Sequence, residues 1–127
     1  MLKILILEDE EYRIKWFKQA TIGYSVEFVK TAADAVKSLS EKTFDYCYLD
    51  NDLDEKSYDN YRKRIICDKT TGYAVCLFLK ANPELNKDCQ FVVHTLNDLA
   101  QKLMMEALVG RNACQISFLD LISKENL

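Results

Sequence analysis

Hydrophobic residues occur along the chain in five short runs that are separated by longer amphipathic segments. The runs at 2–7 and 44–49 contain few polar positions and therefore predict strands that are covered on both faces of a sheet. The other runs, at 25–29, 89–93 and 113–118, predict three further strands. The chain thus carries five predicted strands.

The segments between these strands carry apolar residues at helical spacing. The clearest case follows Thr31, a predicted N-cap, because apolar residues fall at i, i+3, i+4 and i+7 from residue 32. Similar apolar faces predict helices over 12–20, 70–82 and 97–110.

Strands and helices that alternate along a chain predict a parallel sheet with right-handed crossovers and helices on both faces. The simplest arrangement is flavodoxin-like, a three-layer α/β/α sandwich with a five-stranded parallel sheet in the order 2-1-3-4-5. The tail at 119–127 predicts a last helix that is short or missing. The length fits a single domain, 1–127. In this strand order the first and third strands are neighbours, and such sheets bind ligands in the crevice between their carboxyl ends.

The composition excludes several classes of function. The net charge of −3 gives no support for binding to double-stranded DNA or to a membrane surface. The apolar run at 2–7 reaches acid at Glu8, so it is too short for a signal peptide or a membrane span. The five cysteines are scattered and form no CxxC pair, which indicates structural thiols in a reducing, cytoplasmic protein.

Carboxylates follow both central strands of the predicted sheet. Glu8 and Asp9 come directly after the first strand, and Asp50 and Asp52 come after the third. Acids gathered at one edge repel one another, and a hard divalent cation such as Mg²⁺ or Mn²⁺ relieves that repulsion. Such an ion is most useful where another ligand is a phosphoryl oxygen, whose charge it neutralises. The alternative is a solvated acidic rim that binds nothing.

Polar residues beyond the third and fourth strands offer acid–base and hydrogen-bonding groups. His94, the only histidine, can protonate a leaving oxygen or position a water, or it is a hydrogen-bonded structural residue. Thr95 either donates to a phosphoryl oxygen or reflects strand propensity, and Asn97 is either a helix N-cap or a substrate ligand. In the long polar loop after the third strand, Arg62 and Arg64 either clamp an anionic substrate or are solvated charges.

The sequence around these acids resembles response-regulator receiver domains. Residues 5–10 are similar to their first strand and acidic pair, 45–50 to their third strand with its phospho-accepting aspartate, and 91–95 to their fourth strand with its hydroxyl residue. The resemblance implies a set of roles: Mg²⁺ held by Glu8, Asp9 and the backbone of Asp52, a phosphoryl group accepted by Asp50, and a contact to that group from Thr95.

A divergent branch, the cyclic-phosphate processing receiver domains, is more similar still. Its pattern of Leu-Asp-His-Asp-Leu, a long polar insert, a Thr-Gly helix start and His-Ser-x-Asn resembles 49–53, 71–72 and 94–97. Asn51 replaces the histidine of the first motif. The receiver lysine that stabilises an aspartyl phosphate is expected near 115–118, where this chain has none. Membership implies a metal-assisted site that acts on cyclic or terminal nucleotide phosphates.

Three functions are compatible with these patterns. The leading hypothesis is a stand-alone receiver-like domain whose crevice binds or processes a phosphate ester, such as a cyclic phosphate on a small molecule or an RNA end. Such a domain is either a binding protein or a metal-dependent phosphoesterase. The second is a phosphorelay receiver that is phosphorylated on Asp50. The third is a pseudo-receiver interaction module in which Phe118, Leu119 and Leu121 are left for a partner or a homodimer.

Overall fold

The computed structural model of the chain describes residues 2–51, 71–95, 97–117 and 120. Strands and helices alternate through these residues, as the hydrophobic pattern predicts. In chain order the elements are β1 (Lys3–Leu7), α1 (Glu11–Ala20), β2 (Ser25–Val29), α2 (Ala32–Glu41), β3 (Tyr46–Leu49), α3 (Gly72–Ala81), β4 (Gln90–Val93), α4 (Asp98–Ala107) and β5 (Ala113–Gln115).

The five strands form one parallel sheet in the order β2-β1-β3-β4-β5. Leu7 at the end of β1 pairs with Leu49 of β3, which pairs with Val93 of β4. The ladder continues one residue further, because the Asp50 N–H donates to the Leu7 carbonyl at 3.3 Å and the His94 N–H donates to the Leu49 carbonyl at 3.0 Å. The residues that follow these three strands therefore leave one edge of the sheet side by side.

Each face of the sheet has its own hydrophobic core. Leu49 and Val93 belong to the core on one face, together with buried residues of α2, α3 and α4. Tyr48 and Val92, their neighbours in sequence, belong to the core on the other face with Phe17 of α1. Central strands that are covered on both faces require apolar residues at every position, which explains their uninterrupted apolar runs. The architecture is the predicted flavodoxin-like three-layer α/β/α sandwich, with the strand order 2-1-3-4-5.

Side-chain caps start two of the helices. The Asp34 N–H donates to Thr31 Oγ1 at 3.1 Å, which confirms Thr31 as the N-cap of α2.

Between α2 and β2, the carboxylate of Glu27 accepts hydrogen bonds from the Ser38 hydroxyl and from Lys42 Nζ. These bonds outweigh the small effect of burial and lower the pKa of Glu27 below its ordinary value.

At the opposite edge of the sheet from the acids, Asn86 joins the chain ends of α2 and β3. Its Oδ1 accepts the Phe44 N–H at 2.7 Å, and its Nδ2 donates to the carbonyls of Leu39 at 2.9 Å and Lys42 at 3.0 Å. Asn86 is buried and has a φ of 51°, a left-handed conformation that asparagine tolerates better than most residues. These long-range bonds fix the loop before β3.

The guanidinium of Arg111 makes a second connection near Asn86. It donates to four backbone carbonyls at 2.7 to 3.2 Å, one in the last turn of α3 and three in the segment between α3 and β4: Leu79, Asn82, Leu85 and Asn86. The carbonyls at the end of a helix and in the loop after it thereby gain a charged donor. The segment before β4 is held against the chain that leads into β5.

The predictions for the carboxyl-terminal end of the chain have two different outcomes. The fifth strand, predicted over 113–118, covers Ala113–Gln115 because β4 ends at Val93, whose carbonyl accepts the Ile116 N–H as the last bond of the ladder. The last helix and the apolar residues proposed for a homodimer, Phe118, Leu119 and Leu121, lie outside the described residues. No helix among those described is both long and apolar enough to cross a membrane.

Candidate functional site

Three polar residues that follow β1, β3 and β4 meet at the carboxyl edge of the sheet. Glu8, Asp50 and His94 each offer one ligand atom, and these atoms all lie within 4.8 Å of one another. All three side chains are buried, with Glu8 and His94 at 0% exposure and Asp50 at 3%. The register of the strands produces this cluster, because the residues directly after paired strand ends must be neighbours.

The imidazole of His94 is tied to Glu8. Its Nε2 lies 3.0 Å from Glu8 Oε1, and its ring packs edge-on against Phe17 of α1 with 5.5 Å between ring centroids. Nδ1 is buried and has no hydrogen-bond partner among the residues that the structure describes. A buried polar nitrogen without a partner is unfavourable, and such atoms are often found where a ligand, an ion or a proton transfer uses them. His94 is therefore not accounted for by structural hydrogen bonding alone.

A cation from α1 enters the same cluster. Arg13 Nη1 lies 3.5 Å from Glu8 Oε1 and 3.7 Å from Asp50 Oδ2, and its side chain is 9% exposed. Arg13 is absent from the residues predicted from sequence. The signal that could have identified it is its spacing, because it lies four residues before Phe17 on the buried face of α1.

The charges in the cluster shift one another's pKa values. Burial works to raise the pKa of Glu8, but the hydrogen bond and charge of His94, a backbone N–H and the charge of Arg13 together lower it below the ordinary value. Burial works to lower the pKa of Arg13, but the hydrogen bond with Tyr12 and the charges of Glu8 and Asp50 raise it above the ordinary value. Glu8 is therefore a carboxylate and Arg13 a cation at neutral pH.

Asp50 is closely surrounded by the first turn of α3. The Asn51 N–H donates to Asp50 Oδ1 at 2.8 Å, while Asn51 Oδ1 accepts the Tyr73 N–H at 2.9 Å. The Gly72 N–H donates to the Asn51 carbonyl at 3.1 Å. The helix begins at Gly72 as predicted, but Thr71, in the N-cap position, makes no side-chain cap bond, and Asn51 supplies an acceptor instead. The positive end of the α3 dipole lies beside Asp50 and favours an anion there.

The other predicted site residues have mixed positions. Asp9 is half-buried and its N–H donates to Glu8 Oε2 at 3.1 Å, although its carboxylate is not one of the three clustered ligands. Thr95 Oγ1 accepts the Asn97 N–H at 3.2 Å, and Asn97 Oδ1 accepts the Ala100 N–H at 3.0 Å. The N-cap interpretation of Asn97 is confirmed, and contacts of Thr95 and Asn97 with phosphate stay predictions. Asp52, Arg62 and Arg64 lie outside the described residues.

The donor set of the cluster fits a divalent cation. Two ligands that share an Mg²⁺ ion at about 2.1 Å are separated by about 4 Å at most, so the described separations of up to 4.8 Å require only small side-chain shifts. The two carboxylates, Glu8 and Asp50, suit Mg²⁺ or Mn²⁺. The unpartnered Nδ1 of His94 also supports a role beyond packing.

Comparisons with known proteins agree with this geometry. Residues 3–110 match the sequence pattern of a family described as the cyclic-phosphate processing receiver domain. No curated protein sequence matches the chain significantly.

Solved structures of receiver domains share the fold over nearly the whole chain. A CheY-like receiver domain from Methanospirillum hungatei is 20% identical with a TM-score of 0.66, and the match covers 98% of this chain and 90% of that one. A phosphorylated cyanobacterial phytochrome response regulator is 18% identical with a TM-score of 0.71, covering 98% and 85%. The receiver domain of a sensor histidine kinase from Pseudomonas aeruginosa, with a magnesium ion in its active site cleft, is 19% identical with a TM-score of 0.68, covering 98% and 93%.

Proposed function

The chain belongs to the cyclic-phosphate processing receiver domain family, and from this premise we propose that its acidic crevice binds a divalent metal ion and a phosphate ester, specifically a cyclic nucleotide phosphate. The observation that carries the proposal is the convergence of Glu8, Asp50 and His94 at the carboxyl ends of three adjacent strands. Buried ionisable groups gathered at the ligand-binding edge of such a sheet support a site selected for function, and Arg13 offsets part of their negative charge.

The metal ion is proposed to be Mg²⁺ or Mn²⁺, held by Glu8 and Asp50 with help from the neighbouring Asp9. A divalent ion in this position would neutralise charge on a phosphoryl oxygen and polarise its bond to phosphorus. The chain's own residues complete the site. The amino-terminal turn of α3 attracts an anion towards Asp50, and His94 holds the Glu8 carboxylate in a fixed orientation at 3.0 Å.

Hydrolysis of a cyclic phosphate requires water to attack phosphorus while one of the two ester bonds of the ring breaks. The attacking water loses a proton to solvent, and the oxygen that leaves must gain one. An imidazole is the side chain best suited to give that proton at neutral pH. We assign this role to His94, the only histidine in the chain. Asp50, beside Arg13 and the helix terminus, is assigned to binding the metal and orienting the phosphoryl group.

The proposal is tested with a panel of 2′,3′-cyclic and 3′,5′-cyclic nucleotides and RNA ends bearing a 2′,3′-cyclic phosphate, incubated with Mg²⁺ or Mn²⁺ and followed by ³¹P NMR. Binding or turnover that is lost in Asp50→Asn supports the proposal. The matched control is Asp45→Asn, which removes an exposed carboxylate at the opposite end of β3. Absence of binding and turnover across the panel at millimolar concentrations contradicts it.

A phosphorelay receiver is the second candidate, because Asp50 directly follows the third strand of a receiver fold. Acetyl phosphate and Mg²⁺ would then add one phosphoryl group, detected as a mass increase that disappears in Asp50→Asn. An unchanged mass after prolonged incubation excludes this function. The two candidates are thus separated by whether the phosphoryl group ends on the protein or stays on the nucleotide.

A further inference from the structure

We propose that Arg13 is the phosphoryl-binding cation of the crevice, supplied from α1 in the place of the lysine that receiver domains carry after their fifth strand. This inference rests on the proposed function, because it names the cation that binds the phosphoryl oxygens. It assigns a specific role to a residue outside the set predicted from sequence.

Arg13 lies close enough to Asp50 to contact a phosphoryl group bound there. Its Nη1 lies 3.7 Å from Asp50 Oδ2, so a phosphoryl group against Asp50 brings its oxygens within reach of the guanidinium. Tyr12 orients the guanidinium through a different nitrogen from the one that lies near the carboxylates. The Arg13 Nε–H donates to the Tyr12 hydroxyl at 3.1 Å, and the guanidinium carbon lies 5.6 Å from the centroid of the Tyr12 ring. A buried, oriented guanidinium is pre-organised to bind an anion.

A phosphoryl group in the crevice requires a positive charge beside it. The sequence has no lysine or arginine between Arg111 and Lys124, so no cationic residue stands at 115–118, where the resemblance places the receiver lysine. Transfer or hydrolysis of a phosphoryl group spreads negative charge over its oxygens, and a fixed cation beside them is worth several orders of magnitude in rate in other phosphoryl-transfer enzymes. Arg13 is the cation that the described residues bring into contact with Asp50.

Two ligands with charges of opposite sign test the role of Arg13. Mn²⁺ alone is titrated by electron paramagnetic resonance, and 2′,3′-cyclic AMP is titrated calorimetrically at saturating Mg²⁺. In Arg13→Gln the loss of a cation between two carboxylates should strengthen Mn²⁺ binding about threefold or more. The same change should weaken binding of the cyclic nucleotide about tenfold or more, because a charge-assisted hydrogen bond is lost.

The matched control is Lys15→Gln, which removes the same charge from an exposed position on the same helix and should leave both affinities unchanged. Arg13→Lys is the second variant. It keeps the charge, so the protein stays folded and Mn²⁺ binding stays close to that of the wild type. The planar fork is lost, so affinity for the cyclic nucleotide falls between the wild type and Arg13→Gln.

The direction of the two changes decides the outcome. Stronger Mn²⁺ binding together with weaker cyclic-nucleotide binding in Arg13→Gln supports the assignment. If Arg13→Gln does not fold, a loss of nucleotide affinity without a loss of Mn²⁺ affinity in Arg13→Lys supports it. Weakening of both ligands together, or no change in either, overturns it and makes Arg13 a structural counter-ion, while the proposed function stands. A wild-type protein that binds Mn²⁺ but no cyclic phosphate refutes the proposed function itself.

Discussion

Replacing Gly72 by alanine tests how α3 is docked on the Asp50 segment. A Cβ atom at residue 72 would lie 1.9 Å from the Asp50 carbonyl oxygen and 2.8 Å from its carbonyl carbon. Carbon–oxygen contacts are normally no shorter than about 3.3 Å, so the helix and the strand end must separate by about 1.4 Å. The obstructing atoms belong to the backbone and cannot rotate away.

Two effects of this substitution oppose each other. Alanine favours a helix over glycine by about 0.5–1 kcal/mol, and this gain is smaller in the first turn. Overpacking a rigid contact costs about 1–3 kcal/mol, and an overlap of this size belongs at the upper end. The net loss in the free energy of unfolding is therefore about 2 kcal/mol, which lowers the thermal midpoint by about 8 °C in a domain of this length.

Thermal and urea unfolding of Gly72→Ala measure the loss, and Mn²⁺ titration measures whether Asp50 has moved. Gly110→Ala is the control, because Gly110 has a φ of +93° and nothing within 4 Å of its Cβ position. The control loses about 1–2 kcal/mol through backbone strain alone and keeps its affinity for Mn²⁺. A Gly72→Ala protein that is as stable as the wild type, with unchanged Mn²⁺ affinity, would refute the docking of α3 against Asp50.

Three further predictions concern the rest of the fold. Asn86→Ala removes three long-range hydrogen bonds from a buried site and should lower the free energy of unfolding by about 2–4 kcal/mol in urea titrations. The control, Asn82→Ala, removes one side-chain hydrogen bond and should cost about 1 kcal/mol. Equal losses in the two variants would contradict the role of Asn86. Because the pKa of Glu27 is lowered in the folded state, its contribution to stability is complete above about pH 5 and is lost as the pH falls through that lowered value. Glu27→Gln should therefore flatten the acid side of the stability curve, and an unchanged slope would exclude this assignment. Cys67 lies outside the described residues, so Cys67→Ser removes it from a thiol-labelling assay. In this variant a thiol reagent should rapidly label only the exposed Cys114 in the native state, because burial raises the pKa of the other three thiols, to about 12 for the last of them: Cys47, Cys76 and Cys89. Rapid labelling of a second thiol in the native state would contradict this burial.

The strand order and the central cluster could be predicted from sequence because both depend on local patterns. Uninterrupted apolar runs identify covered strands, and a parallel sheet brings the ends of neighbouring strands to one edge. Glu8, Asp50 and His94 each follow such a run directly, so their meeting requires only the strand order. The Thr31 and Asn97 caps were equally local, since a capping side chain bonds a backbone N–H three residues later.

The parts that could not be predicted depend on partners far away in the sequence. Asn51 bonds the backbone of α3 22 residues later, and Asn86 bonds the end of α2 47 residues earlier. Neither asparagine carries a local pattern that separates these roles from an ordinary turn. Arg13 was missed for a related reason. A charged residue near the start of a helix usually faces solvent, and only the packing of α1 against the sheet turns this one inward.

The strand that carries Asp50 is anchored at both extremities. At its entrance the backbone of Phe44 is bonded to Asn86, and at its exit Asn51 is bonded to the first turn of α3. A segment bonded at both ends resists displacement, so a ligand that binds beside Asp50 is expected to move neighbouring side chains rather than the strand itself. Among the described neighbours of Asp50, Arg13 belongs to α1 and not to this strand, so its side chain is expected to adjust when a ligand binds.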